Sequence, residues 1–146
     1  EMITGVDLVK GMIRSAAGEK LPFQQEDIEF RGHAIECRVN AEDPETFAPA
    51  PGRITGYHEP GGYGIRVDSW VHDRASVLPF YDSLLAKLIA WGADRDEAIR
   101  RMRWALDEYV VEGIKTTIPF HQKVLRDPSF IAGDVDTGFI DSLLSK

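Results

Sequence analysis

Four short β-like runs, bounded by proline and glycine, lie between two stretches of helical period, and that order limits what the chain can fold into. The runs are 33-HAIECRVN-40, 53-RITGYHE-59, 63-YGIRVDS-69 and 84-LLAKLIAW-91. Pro44, Pro49, Pro51, Gly52, Pro60, Gly61 and Gly62 punctuate them; proline presets φ and glycine adopts backbone conformations closed to other residues, so both mark turns. The pattern predicts a small, mainly antiparallel sheet. Before it, 7-DLVKGMIRSAAG-18 sets Leu8, Val9, Met12, Ile13 and Ala16 on one helical face, with Asp7 as N-cap and Gly18 as stop. Gly11 weakens this helix by about 1 kcal/mol relative to alanine, so a neighbour packed on the apolar face has to hold it. After it, 94-DRDEAIRRMRWALDEYVVEG-113 spaces Ala98, Ile99, Met102, Ala105, Leu106, Tyr109 and Val110 along one helical face, with Asp94 as N-cap and Gly113 as stop. Shorter helices are expected at 119-PFHQKVLRD-127 and 138-GFIDSLLS-145. The expectation is an α+β unit: a small antiparallel sheet flanked by helices, one at the N-terminus and the rest in the C-terminal third.

The bulk of the chain agrees with one such unit. Its 146 residues fit a single domain at about 100–200 residues each, and 43% hydrophobic against 28% charged supports a buried core rather than disorder. A net charge of −7 argues against general nucleic-acid binding, which needs a cationic surplus to neutralise phosphates. Apolar runs such as 84-LLA-86 stop at Lys87, far short of the roughly 18–20 residues of a membrane span. Cys37 is the one cysteine, which leaves neither a disulfide framework nor a thiol cluster for zinc and is compatible with a reducing compartment. The start, Glu1-Met2-Ile3, has neither an initiator methionine nor a signal-like leader, and the expectation is a piece of a longer chain.

Several candidate chemistries reduce to structure. The piece 60-PGGYG-64 lacks the spacing of a phosphate loop and precedes a strand, so it reads as a turn. His33, His58, His72 and His121 lack metal-ligand spacing. The charges of 94-DRDEAIRRMR-103 support one another along a solvated helix face. Lys87 is less ordinary, since a strand buried on both faces should avoid a charge; either it lies at an edge with its amine reaching water, or it meets a carboxylate such as Asp82. On the strand 33–40, Ile35, Cys37 and Val39 face one way and Glu36, Arg38 and Asn40 the other. Arg38 is then a rigidly mounted, permanently charged donor. Two readings stay open for it: a structural salt bridge with Glu36, Glu42 or Asp43, or a contact to an anion or a developing oxyanion.

The strings 32-GHAIECRVNAEDP-44, 46-TFAPAPGRI-54, 80-FYDSLLAKLIAWG-92 and 113-GIKTT-117, taken in order, closely resemble the C-terminal domain of biotin carboxylase. That is the ATP-grasp component of acetyl-CoA, propionyl-CoA, methylcrotonyl-CoA and pyruvate carboxylases. The resemblance covers essentially the whole chain, 1–146, with residues 1–20 expected to continue from a preceding ATP-grasp region. It implies a parent ligase that activates bicarbonate with ATP and Mg2+ as carboxyphosphate and carboxylates biotin on a biotin carboxyl carrier domain, for delivery to a carboxyltransferase. It implies that Arg38 contacts the biotin ureido oxygen and stabilises charge there, while Asn40, Glu42 and Asp43 support the strand or its turn. It places a homodimer contact at 60-PGGYGIRVD-68, through Tyr63 and Arg66, residue types that suit interface anchors. Thr137, in 136-DTGFID-141, falls near the family's adenine pocket without being assigned as a site.

The glycine-rich loop, lysines and Mg-binding carboxylates of the family are expected before Glu1, so the fragment itself would bind no ATP or metal and be inactive alone. The implied location is the cytoplasm, or the mitochondrial matrix in a eukaryote. Two other readings stand beside this one: a purely structural and dimerisation module, and the equivalent domain of an ATP-grasp carboxylase that does not use biotin. The first separates from the enzyme reading by the activity of an Arg38 variant, the second by the presence of a biotin-carrier partner.

Overall fold

The computed structural model describes residues 1–145. Its first element, α1 (Leu8–Ala16), begins where the Asp7 carboxylate accepts from the Lys10 amide at 2.8 Å. After a 3-10 turn at Gln25–Asp27 the chain forms β1 (His33–Asn40), β2 (Gly52–Arg53), β3 (Gly56–His58), β4 (Ile65–Ser69), β5 (Ser76–Val77) and β6 (Leu84–Gly92). There follow α2 (Arg95–Glu108), β7 (Val110–Glu112), α3 (Ile118–Val124), α4 (Pro128–Ala132) and α5 (Phe139–Leu144). The α+β class and the antiparallel pairing are as expected. The strands make three small sheets rather than one, in the orders β1-β6-β4, β2-β5 and β3-β7.

The largest sheet is organised by β6, which pairs antiparallel with β1 on one side and β4 on the other. Directly opposed residues share a face of the sheet. Cys37, Val39, Val67 and Ile65 therefore join Leu88, Ala86 and Ala90 on the inner face. Helix α2 packs there with Ile99, Met102, Ala105 and Leu106, all buried, as the helical spacing required. Leu88, Met102, Leu106, Ile54 and Leu125 are among the largest fully buried side chains. Among the described residues, no helix is long and apolar enough to cross a membrane.

Several boundaries differ from the expectation, two of them for a tertiary reason. The helix expected to run to residue 113 ends at Glu108. Tyr109 turns extended and the β-branched pair Val110-Val111 becomes β7, with Val111 opposite Tyr57. The Tyr57 and Tyr109 hydroxyls lie 2.9 Å apart, so the aromatic pair holds the helix exit against β3. Gly113 then ends a strand rather than a helix, at φ +93°, packed against the Arg53 carbonyl where a Cβ would collide. The run expected as one strand at 53–59 is broken at Ile54, which is fully buried, and its two halves pair with different partners. The helix expected over 119–127 stops at Val124, and α4 follows after Asp127, whose side chain accepts from the Ser129 amide.

Helix α1 forms as expected, but its apolar face is not covered by the described residues. Leu8, Val9, Met12 and Ile13 are 56–71% exposed, so the helix adds little to the core. The contrast between this helix and the central sheet is measurable. Leu88→Ala should destabilise the chain by about 3 kcal/mol, because a buried leucine leaves a cavity behind, whereas Met12→Ala should stay within about 0.5 kcal/mol. Urea unfolding of the two variants checks the difference.

Candidate functional site

The pleat that buries Cys37 and Val39 turns their neighbours outward. Across the outer face of the sheet, Arg38 stands opposite Lys87 and Lys87 opposite Asp68; one pair along, Glu36 and Arg66 both stand opposite Ile89. Glu36, Lys87, Asp68 and Arg66 line a cleft of about 480 Å³ between this face and the N-terminal segment, which contributes Glu1, Met2 and Ile3. Cys37, on the opposite face, is buried and its thiol is pushed up to about 12 by loss of solvation, so it is a packing residue and not a nucleophile.

Of the three acids that could pair with Arg38, only Glu36 reaches it, with Nε to Oε1 at 3.7 Å, and the arginine side chain is 63% exposed. An exposed pair this long is worth at most about 1 kcal/mol. The other two acids are committed elsewhere. Glu42 accepts from the Asn40 side-chain amide at 3.1 Å and from the Ser83 hydroxyl. Asp43 accepts from the Glu45 and Thr46 amides, each at 3.0 Å, and from Lys115 Nζ at 2.6 Å. These bonds hold its carboxyl far below the usual carboxylate range, the lysine contributing most. Asn40, Glu42 and Asp43 thus shape the turn that ends β1, and they leave the Arg38 guanidinium available.

Lys87 is neither at an edge nor paired with Asp82. It sits on the central strand of the sheet, and Asp82 instead accepts from the Leu84 amide at 2.7 Å. The premise of a strand buried on both faces fails here, because the outer face is open to the cleft. Among the described residues Lys87 makes no ion pair within 4.0 Å; its charge stands in the row between Arg38 and Asp68.

Arg66 shares the outer face but is tightly held. Its guanidinium donates to Asp68 Oδ1 at 2.7 Å and to Glu1 Oε2 at 2.5 Å, contacts that raise its already high pKa. Tyr63 lies at the turn before β4, where Gly62 and Gly64 have positive φ, as expected of 60-PGGYG-64. Its ring is 79% exposed and rests against Arg101, whose guanidinium carbon is 4.9 Å from the ring centre. Thr137 is exposed in the turn before α5. Among the described residues no three His, Cys, Asp or Glu side chains gather into a metal-binding group.

Residue-level reading missed two side chains beside Arg38. The Thr117 hydroxyl donates to the Arg38 carbonyl at 2.9 Å, and His121 Nε2 lies 2.8 Å from the same oxygen. Burial moves the His121 pKa below its ordinary value, against the opposing pull of that carbonyl. The contacts span 79 and 83 residues, so no local pattern announces them.

Comparison with known proteins fits this geometry. A family described as the biotin carboxylase C-terminal domain matches residues 36–142. A pyruvate carboxylase subunit from Methanothermobacter thermautotrophicus is 59% identical over 142 residues, covering 97% of this chain and 29% of that protein. Biotin carboxylase of Pseudomonas aeruginosa is 55% identical, covering 99% of this chain and 32% of that one. The chain therefore spans about a third of the length of these curated relatives. Among solved structures, the biotin carboxylase domain dimer of Hydrogenobacter thermophilus 2-oxoglutarate carboxylase, in complex with MgADP, ADP and bicarbonate, superimposes with a TM-score of 0.95. It is 48% identical over 99% of this chain and 33% of that one.

The environment of His121 has a consequence for stability. Because its folded pKa is lowered, the fold favours the neutral ring; the contribution is complete above the unfolded value of about 6.5 and is lost as pH falls through that value toward the folded one. Wild type should lose stability relative to His121→Gln between about pH 7.5 and about pH 5, as thermal melts of both proteins at the two pH values would show.

Proposed function

The chain belongs to the biotin carboxylase C-terminal domain family, and from that premise we propose that it is the C-terminal domain of an ATP-dependent biotin carboxylase, in which it completes the biotin site. The observation that carries this reading is Arg38 itself. It is a guanidinium mounted on a core-anchored strand, 63% exposed and, among the described residues, held by a single 3.7 Å ionic contact to Glu36, so it has donors to offer an incoming oxygen. A biotin ureido group fits that position: its oxygen gains negative charge when the ring nitrogen loses its proton to be carboxylated, and a preplaced cation stabilises that charge. The chemistry of ATP, Mg2+ and bicarbonate belongs in this reading to the remainder of the parent protein, with residues 1–20 leading in from it.

The substrate is biotin on a carboxyl carrier domain, and the carboxylated product passes to a carboxyltransferase. The parent works as a homodimer, a state supported by the dimer among the structural relatives. Tyr63 and Arg66 contribute to that contact, since Tyr63 exposes 79% of an aromatic residue on a turn braced by Arg101, while Arg66 is fixed by Glu1 and Asp68. Such a reaction requires a compartment that supplies ATP, which we take to be the cytoplasm, or the mitochondrial matrix in a eukaryote.

In the full-length carboxylase carrying this domain, Arg38→Ala should lower the rate of biotin carboxylation by about 10²–10³-fold, with the fold and the KM for ATP retained. Turnover at the wild-type level would overturn the proposal in favour of a purely structural module. Tyr63→Ala should weaken self-association by about 1–2 kcal/mol, read from sedimentation velocity over a dilution series.

A further inference from the structure

We propose that Thr117 and His121 are positioning residues that clamp the open edge of β1 and so fix where Arg38 presents its guanidinium. The inference rests on the reading of Arg38 as the contact to the biotin ureido oxygen. Strand β1 lies at the edge of its sheet. One side of it is bonded to β6, and the polar groups on the other side need partners from elsewhere. At the position that matters, residues 117 and 121 supply them. The Thr117 amide donates to the Asn40 carbonyl at 3.1 Å, the Asn40 amide donates to Thr117 Oγ1 at 3.0 Å, and that hydroxyl donates in turn to the Arg38 carbonyl at 2.9 Å. His121 Nε2 reaches the same carbonyl oxygen at 2.8 Å. An acceptor there requires the ring to carry its proton on Nε2.

Two further observations make the clamp more than ordinary packing. The pairing of β1 with β6 is regular through Arg38 and Val39 and shifts register between Val39 and Asn40, so just beyond Arg38 the ladder gives way and the bonds from Thr117 to Asn40 take over in holding the strand. Among the described residues the Arg38 side chain has one long ionic contact, so its location is set chiefly by its own backbone. The two donors are in turn held at a fixed separation, because the His121 amide donates to the Thr117 carbonyl at 3.0 Å in the first turn of α3. Thr117 is 4% exposed, so its hydroxyl is largely shielded from solvent that could replace either bond.

The test uses the full-length carboxylase with biotin, free or on its carrier domain, as the varied substrate. Thr117→Val and His121→Phe remove the clamp while keeping size, and each should lower kcat/KM for biotin by about tenfold or more, since small misplacements of a reacting group are costly, with KM for ATP changed less than about twofold. Thr117→Ser and His121→Gln keep a donor and should restore most of the loss. In an Arg38→Ala background, Thr117→Val should cost the biotin step nothing further. An equal cost in both backgrounds, or a KM for ATP that rises in parallel, would reduce the two residues to fold support. Arg38→Ala impaired beside fully active clamp variants would overturn the clamp alone, whereas an unimpaired Arg38→Ala would remove the reading beneath it. If Thr117→Val does not fold, the half-buried His121 pair decides the question.

Discussion

The structure depends on the pleat of one strand. Strand β6 is hydrogen-bonded on both sides, and from Ala86 to Ala90 each of its residues has a partner on both neighbours, which assigns three residues at once to the core or to the outer face. A shift of register by one residue would carry Leu88 out and Lys87 in, which no core tolerates, so the apolar set fixes the polar set. Arg38, Lys87 and Asp68 are aligned across the face because Cys37, Leu88, Val67 and their neighbours are buried beneath it. The same alternation separates reactivity: the thiol that could have been a nucleophile is driven inside, where burial keeps it protonated, and the guanidinium one residue later is driven out.

Around that sheet, the smaller strand pairs act as braces rather than as a second core. The Tyr57 hydroxyl donates to Glu59 and receives from Ser69 and Tyr109, at 2.7, 2.7 and 2.9 Å, joining β3, the end of β4 and the exit of α2. Burial raises the pKa of both tyrosines, so both hydroxyls keep their protons and stay bonded through the physiological range. Asp43 and Lys115 make a second brace, between the turn after β1 and the segment leading into α3. That tie brings residue 117 to the open edge of β1, linking a surface ion pair to the geometry of the site.

Features set by local period are legible in the sequence. Strand β1 runs from His33 to Asn40, as the alternation of Ile35, Cys37 and Val39 demands, and the spaced residues Ala98, Ile99, Met102, Ala105 and Leu106 of α2 are all buried. What local period does not encode is legible only in three dimensions. Val110 continues the helical spacing, and only a strand partner more than fifty residues earlier recruits it, with Val111, into β7. Helix α4 carries start and stop signals, Asp127 with Pro128 and then Gly133 at φ +77°, but five residues are too few for a period to register. Lys87 misleads for a related reason: the apolar run around it suggests burial on both faces, and only the topology shows that one face is open. For Arg38, residue chemistry leaves a salt bridge and an anion contact both open; resemblance supplies the choice, and the 3.7 Å separation from Glu36 is consistent with it.

The two arginines of the outer face show why that separation matters. Both are permanently charged and both have acidic neighbours, so charge alone does not distinguish them. Arg66 is gripped by two carboxylates at 2.5 and 2.7 Å, and drawing it away would leave both acids without their partner. That grip ties the N-terminal segment to β4 and fixes the guanidinium in place on the outer face. Among the described residues Arg38 has one acid, at 3.7 Å, and a side chain that is mostly exposed, so exchanging that partner for a ligand oxygen costs at most about 1 kcal/mol. A chain with a net charge of −7 could have smothered an exposed guanidinium in carboxylates. It avoids this by giving Glu42 to Asn40 and Ser83, and Asp43 to Lys115, so the acids that follow Arg38 in sequence build the turn instead of neutralising the charge.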